Sequence, residues 1–141
     1  MAGQYGWVLD PNAGGTKIPD RLKAQVTERI EALAAQHFKG KYARLDIRFK
    51  GQFCYIGTLQ EPQVPENFPP PDWGITREEY LERMRNTPMP LCRLRHFSAD
   101  RWSFGFYTHS NEKYELCLFD TGGFFGKPED AFLQAGRFYL S

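Results

Sequence analysis

The sequence predicts an α+β domain of two layers, in which the N- and C-terminal helices cover one face of an antiparallel sheet of about five strands. Helix-like spacing of apolar residues occurs near both ends of the chain. Short strand-like runs lie between them and are joined by tight turns, and strands connected in this way pair antiparallel. A chain of 141 residues is long enough to bury a core of its own.

Residues 1–18 are interpreted as an N-terminal arm and residues 19–141 as a single domain. The arm contains turn residues around Pro11 and a flexible Gly14-Gly15 pair. It also carries Tyr5, Trp7, Val8 and Leu9, which are too apolar for a free tail. We therefore expect the arm to dock, either on its own domain or on a second copy.

The first helix and first hairpin follow the arm. Proline is favoured at a helix start, so the helix is predicted to begin at Pro19. Its apolar residues recur at helical spacing: Leu22, Val26, Ile30 and Leu33. The run ARLDIRFK then alternates apolar and charged residues, as a strand with one buried face does. Gly51-Gln52 is predicted to turn the chain into a second strand, FCYIGTL.

Two further helices are predicted. Residues 60–75 contain five prolines and form a long strap whose anchors would be Val64, Phe68 and Trp73. Thr76 and Glu79 form a capping box that starts a short inserted helix. Pro128 starts the last helix. Its apolar side is expected to carry Phe132, Ala135, Phe138 and Tyr139.

The stretch from Pro90 to Asp120 predicts a three-stranded meander whose register depends on its turns. A three-residue loop at residues 98–100 would pair Cys92 with Phe106 and Leu94 with Phe104. A similar loop at residues 109–111, with Asn111 in the left-handed conformation, leads to the following pairs: Phe106 with Tyr114, Phe104 with Leu116, and Trp102 with Leu118. A two-residue turn at Ala99-Asp100 would instead place Arg93 and Arg95 in the core, where unpaired guanidiniums are too costly.

This register separates the meander into two faces. The inner face is expected to form a core from Cys92, Leu94, His96, Trp102, Phe104, Phe106, Tyr114, Leu116 and Leu118. The opposite face would carry Arg93, Arg95, Phe97, Ser103, Gly105, Tyr107, Lys113, Glu115 and Cys117. Because a slip of one residue exchanges the faces, each assignment depends on loop length.

The candidate site is the basic and aromatic face of the sheet. Its predicted ligand-binding residues are Arg93, Arg95, Tyr107, Arg48, Arg44 and Tyr55. Basic residues interleaved with aromatic ones suit an anionic ligand or single-stranded nucleic acid. The alternative is a solvated face on which arginine stems lie along rings and pair with Asp46 and Glu115.

No catalytic, metal or cofactor site is predicted. Cys54, Cys92, Cys117 and His96 lie on separate strands, and the register turns Cys117 away from Cys92 and His96. His109 and Ser110 lack a carboxylate that would orient the histidine. GGFFGKP departs from a phosphate-binding loop because its lysine is followed by Pro128.

Charge and cysteine content indicate the compartment and the partners. The formal net charge of +1 disfavours general nucleic-acid binding. Three cysteines without short spacings favour free thiols in a reducing compartment. The sequence shows no signal-like start and no membrane span, so a cytoplasmic protein is expected.

The motifs LCRLRHF and RWSFGFY, with a closing helix after a Pro-Glu pair, resemble those of a group of small bacterial proteins of unknown function. The resemblance covers residues 18–140 in the order of elements. It implies the same α+β fold and a bacterial origin, and it supplies no catalytic residue.

The expected function is a non-enzymatic binding or protein-interaction domain. Self-association into a homodimer through aromatic surfaces is expected, and candidate contacts are Trp7, the strap and the aromatic sheet face. One alternative is a small enzyme or ligand-binding protein that recognises an anionic ligand on the sheet face. Single-stranded nucleic-acid binding on that face is the other.

Overall fold

A computed structural model describes residues 14–140 of the chain. Its helices are α1 (Asp20–His37), α2 (Arg77–Arg85) and α3 (Pro128–Tyr139), and a short 3-10 turn covers Pro71–Trp73. Its strands are β1 (Arg44–Lys50), β2 (Phe53–Leu59), β3 (Met89–Ser98), β4 (Arg101–Thr108) and β5 (Lys113–Cys117). No helix within these residues is long and apolar enough to cross a membrane.

The five strands form one antiparallel sheet in the order β1-β2-β3-β4-β5. The first hairpin turns at Gly51, whose φ of 60° is favourable for glycine, so that Lys50 pairs with Phe53. The turn and both strands of this hairpin are as predicted. Both edges of the sheet, β1 and β5, lack a neighbouring strand within residues 14–140.

The core lies between the sheet and two helices. Helix α3 packs on β3 and β4, and α1 packs on α3 and β1. The largest fully buried side chains of this layer include Trp102, Phe104 and Phe132. The predicted two-layer α+β fold, with the first and last helices on one face, is therefore confirmed.

The β3–β4 hairpin has the predicted pairs but a different turn. Cys92 pairs with Phe106 and Leu94 with Phe104, as expected. The loop nevertheless has two residues, because Ser98 pairs with Arg101. The register shifts between His96 and Ser98, so that one residue of β3 has no partner on β4, as in a β-bulge. This shift compensates for the shorter loop, and the arginines remain on the face opposite the core.

The predicted β4–β5 register is wrong by one residue. Phe104 pairs with Cys117 and Phe106 with Glu115. The loop has four residues instead of three, and its last residue is Glu112. Glu112 has the positive φ, 51°, that was expected of Asn111. Side chains of β5 therefore exchange faces. The helix side of β5 carries Lys113, Glu115 and Cys117, and the opposite side carries Tyr114 and Leu116. Leu118 was also predicted in the core, but it is exposed.

The last helix differs from its predicted apolar side at one residue. Phe132 and Ala135 are fully buried, whereas Phe138 is 73% exposed. The Phe138 ring stacks on Phe106 at 5.9 Å between centroids, at the end of the helix where the sheet no longer covers it fully. Phe138 is therefore a surface residue and not part of the core.

Candidate functional site

The outer face is the sheet surface opposite α1 and α3. It carries Arg44, Asp46, Arg48, Lys50, Phe53, Tyr55, Arg93, Arg95, Ser103, Gly105, Tyr107, Tyr114 and Leu116, as the register shows. All six predicted site residues share this face. They do not form one cluster, however, because Arg44 and Arg48 lie on edge strand β1 while Arg93 and Arg95 lie on central strand β3.

Arg93 is surrounded by aromatic rings at the centre of the outer face. Its guanidinium carbon lies 4.1 Å from the centroid of Phe53, 5.1 Å from Tyr114 and 6.0 Å from Tyr55. Each ring is within the range of a cation–π interaction. The guanidinium therefore lies among rings, and its face contacts are already used within the protein.

A row of tyrosines extends from this cluster towards β5. The rings of Tyr55 and Tyr114 are 5.8 Å apart, and those of Tyr114 and Tyr107 are 5.2 Å apart. The hydroxyl of Tyr139 donates a hydrogen bond to the backbone oxygen of Tyr107. Burial, assisted by the neighbouring Cys92, raises the pKa of Tyr114 to about 12, although the Arg93 charge opposes the shift.

Arg95 is buried, at 2% exposure, and Ser103 beside it is 1% exposed. The Arg95 Nε atom donates to Ser103 Oγ at 3.0 Å, and the guanidinium carbon lies 5.2 Å from the Phe97 ring. Both Arg93 and Arg95 have partners beyond these. The hollow between the two arginines measures about 10 Å³, hardly enough for one water molecule.

The β1 edge of the outer face is more open. Arg48 contacts Asp46 through Nε and Nη2, each 3.0 Å from Oδ2. A cavity of about 440 Å³ is lined by Arg48, Phe49, Lys50 and Tyr55, which is large enough for a small ligand. Arg44, Arg48 and Lys50 are all exposed there. Open basic groups are thus concentrated on β1.

Sequence reasoning missed Phe53 and Tyr114 as members of this face. Phe53 follows the Gly51 turn and pairs with Arg95. Its position on the outer face could therefore be predicted by combining the β1–β2 register with the β2–β3 register. Tyr114 could be found only with the correct length of the β4–β5 loop.

A second surface is the lobe, residues 60–88, which connects β2 to β3. Not one of these residues is buried. Its centre is Arg77, whose Nη1 donates to the backbone oxygens of Pro65 at 2.6 Å and Phe68 at 2.8 Å. Weaker contacts reach the oxygens of Glu66 and Val64. One guanidinium therefore fixes the path of the proline-rich strap.

Three aromatic rings complete the lobe. Phe68 lies 4.9 Å from Trp73 and 5.1 Å from Tyr80 between centroids, with edge-on geometry. Val64, Phe68 and Trp73 were the predicted anchors of the strap; the rings of Phe68 and Trp73 pack on each other and on Tyr80 within the lobe, and Trp73 remains 55% exposed. The lobe has six acidic and three basic residues, so its charge is opposite to that of the β1 edge.

Cys54, Cys92 and His96 occupy buried positions inside the fold. Cys54 and Cys92 are completely buried, and burial raises the pKa of Cys92 to about 12. His96 Nδ1 lies 2.9 Å from the backbone oxygen of Thr16, and its ring lies 4.7 Å from that of Trp102. Cys92 and His96 therefore face inward as predicted. Within residues 14–140, no three His, Cys, Asp or Glu side chains are arranged to hold a metal ion.

Comparisons with known proteins found no matching family model, no matching curated protein and no matching solved structure. The function is therefore inferred from the geometry of the chain itself.

Proposed function

We propose that this protein is a non-enzymatic interaction domain that self-associates by pairing the β1 strands of two copies. The observation that carries the proposal is the self-complementary sequence of this edge strand, RLDIRFK. An edge strand presents unpaired backbone N–H and C=O groups that a second strand can satisfy. The resulting dimer would contain one continuous sheet of ten strands.

Antiparallel pairing about a two-fold axis at Ile47 matches the side chains of β1. Asp46 of each copy then lies opposite Arg48 of the other, and opposite charges on paired strands stabilise a sheet. Leu45 lies opposite Phe49 on the other face. The like-charged pair, Arg44 with Lys50, falls at the two ends, where solvent screens it.

Apolar burial favours the same interface. Leu45, Ile47 and Phe49 pack against the core but are only partly buried, because α1 is the helix that reaches β1 and it covers that strand incompletely. Pairing with a second copy would remove more of their apolar surface from water. Such burial is the main favourable contribution to most protein association.

The position of the lobe adds charge complementarity. The lobe joins Leu59 to Met89, and both residues lie at the end of the sheet where β1 begins with Arg44. A two-fold axis across β1 brings the lobe of one copy towards the opposite end of β1 in the other. An acidic lobe carrying the exposed Trp73 would thus face the exposed Arg48 and Lys50.

The other edge of the sheet is a poorer candidate. Strand β5 has five residues, KYELC, and Glu115 is its centre. Two-fold pairing would place Glu115 opposite Glu115, which is destabilising. The two edges therefore differ in self-complementarity, and β1 is favoured.

Sedimentation velocity over a range of protein concentrations tests the proposal. Asp46→Arg alone or Arg48→Asp alone is expected to weaken the dimer, because each places like charges opposite one another. The double variant, Asp46→Arg with Arg48→Asp, restores opposite charges and is expected to dimerise again. Lys113→Glu on β5 is the matched control and should leave association unchanged. A chain that stays monomeric at every concentration, or single variants that associate as well as the original, would contradict the proposal.

The β1 cavity supports a second candidate function, the binding of a small aromatic anion. Arg48 and Lys50 supply positive charge, and Tyr55 and Phe49 supply rings, around about 440 Å³. Native mass spectrometry with added benzoate is expected to show a bound species that Arg48→Gln reduces and Arg83→Gln, on the lobe, does not. Equal retention of benzoate by both variants would count against this second function.

Nucleic-acid binding is less favoured, because Arg93 and Arg95 contact rings and Ser103.

A further inference from the structure

We propose that a cavity between the ends of α1 and α3 binds a small carboxylate that carries an aliphatic chain, as a medium-chain fatty acid does. The cavity measures about 310 Å³ and is partly open to solvent. Its lining combines three apolar side chains with three that carry N–H donors: Phe38, Leu133, Leu140, His37, Lys41 and Arg137. The inference concerns the helix layer and goes beyond the pairing of β1 strands.

The cavity exists because the two helices touch just before they end. Gly136 of α3 lies against the ring of Phe38, and a Cβ atom added there would be only 2.5 Å from Cε2 of that ring. Helix α1 ends at His37, and α3 continues for less than one turn beyond Gly136, to Tyr139. The helices therefore do not fill the space beyond their contact.

Backbone hydrogen bonds fix the walls of the cavity. Lys41 donates its N–H to the oxygen of Phe38 at 2.9 Å, after a turn in which Gly40 has a φ of 82°. Leu140 donates its N–H to the oxygen of Gly136 at 2.7 Å. The backbone of the site is thus formed before a ligand enters, which reduces the cost of binding.

The apolar part of the lining belongs to the hydrophobic core. Phe38 and Leu140 are buried, and the half-buried Leu133 packs against the same cluster. A cavity of this volume is at the lower end of the range for small-molecule sites. An aliphatic chain placed in it would be removed from water, and each methylene buried in this way is worth roughly fourfold in affinity.

The donors lie at the exposed side of the cavity. Arg137 pairs with Asp120 at 2.9 Å and has further partners, so the ligand carboxylate is assigned to Lys41 and His37. Within residues 14–140 the Lys41 ammonium takes part in no ion pair. A histidine ring keeps at least one N–H donor whether it is neutral or charged. None of the six lining residues is acidic.

Compensation of the helix dipoles explains only part of this arrangement. Basic side chains are favourable in the last turn of a helix, where His37 and Arg137 are found. Lys41 lies four residues after the end of α1, and the dipole effect is concentrated in the last turn. A carboxylate pairs well with an ammonium group. One assigned ammonium beside an apolar cavity favours a singly charged head group with an apolar chain over a phosphate.

Methyl NMR titration of the full chain with sodium octanoate tests the proposal. The methyl signals of Leu133 and Leu140 are expected to shift and to show NOEs to the octanoate chain, whereas those of Leu81 in the lobe should not shift. Octanoate should bind roughly tenfold more tightly than hexanoate, which has two methylenes fewer. Shifts that spare Leu133 and Leu140, or equal affinities of the two acids, would overturn the proposal.

Substitution and a change of head group test the charge. Lys41→Glu should weaken octanoate binding roughly tenfold, because it removes a charged donor and adds a like charge. Lys39→Glu is the matched control, since Lys39 is exposed in the same turn but does not line the cavity, and it should retain most of the binding. Equal affinities of the two variants for octanoate would refute the role of Lys41. Octylamine that binds as tightly as octanoate would refute the choice of a carboxylate.

Discussion

The body of the protein, residues 14–59 and 89–140, and the lobe, residues 60–88, are held together by different forces. The body buries a continuous cluster that includes Trp102, Phe104 and Phe132 at 0–1% exposure. The lobe buries no residue and depends on one arginine and three rings. Apolar burial is spread over many contacts, whereas the shape of the lobe depends on a few directional bonds. We therefore expect the lobe to open without unfolding of the body.

The largest expected effect comes from a cavity in the body. Phe132→Ala removes a fully buried ring that contacts Phe38 at 5.7 Å, and should lower the free energy of unfolding by about 3–5 kcal/mol. Phe138→Ala, at 73% exposure on the same helix, is the control and should cost less than about 1 kcal/mol. Chemical denaturation measures both. Similar losses for the two variants would show that burial does not govern the stability of the body.

The next effect should be confined to the lobe. Arg77→Ala removes the donors to the Pro65 and Phe68 oxygens, so the amides of residues 64 and 66–68 should exchange with solvent roughly tenfold faster. Amides of the body should keep their rates. Arg77→Lys should not restore protection, because an ammonium lacks the planar fork of donors. Arg83→Ala, on the same helix, serves as control, and equally fast exchange in that variant would argue against the role given to Arg77.

A smaller local effect is expected at the start of α2. Thr76 Oγ1 accepts from the backbone N–H of Glu79 at 3.1 Å. Thr76→Ala should destabilise this helix by about 1 kcal/mol, and Thr76→Ser should retain most of the cap. Amide exchange at Glu79 and Tyr80 measures the change. If the denaturation midpoint of the body falls as well, the lobe and the body unfold together, and the expected independence of the lobe is contradicted.

The last effect concerns pH and the rings of the body. The pKa of Tyr114 is raised from 10.0 to about 12 by burial, so the folded state favours the neutral phenol. The corresponding stability is present below pH 10 and is lost as the pH rises towards 12. Ultraviolet titration should show a late-ionising component, from Tyr114, that is missing from Tyr114→Phe. A titration curve that this substitution leaves unchanged in shape would contradict the burial of Tyr114.

Local signals were enough to predict the fold class and most of the sheet. Alternation in β1 and the glycine at residue 51 determined the first hairpin, and the cost of burying Arg93 and Arg95 selected the correct β3–β4 pairs. The same argument did not extend to β5, because KYELC presents mixed residues on both sides. Its loop ends in Glu112 with a positive φ, and glutamate is not a residue that predicts this conformation.

The site was predicted in outline only. All six predicted residues lie on one face, since strand period and register are local properties. That Arg93 lies among rings while Arg95 is buried against Ser103 depends on contacts between three strands. The role of Arg77 was not foreseen either, because its carbonyl partners lie 9 to 13 residues earlier in a strap that has no periodic pattern.

The four-residue connection at positions 109–112 also has an evolutionary consequence. Its residues are exposed, so substitutions there should accumulate with little harm. Its length should be constrained, because removing one residue would shift the β4–β5 register by one. Leu116 would then lie on the helix side of the sheet and Cys117 on the outer face. Relatives of this protein should therefore vary freely in the composition of this connection while preserving the number of residues in it.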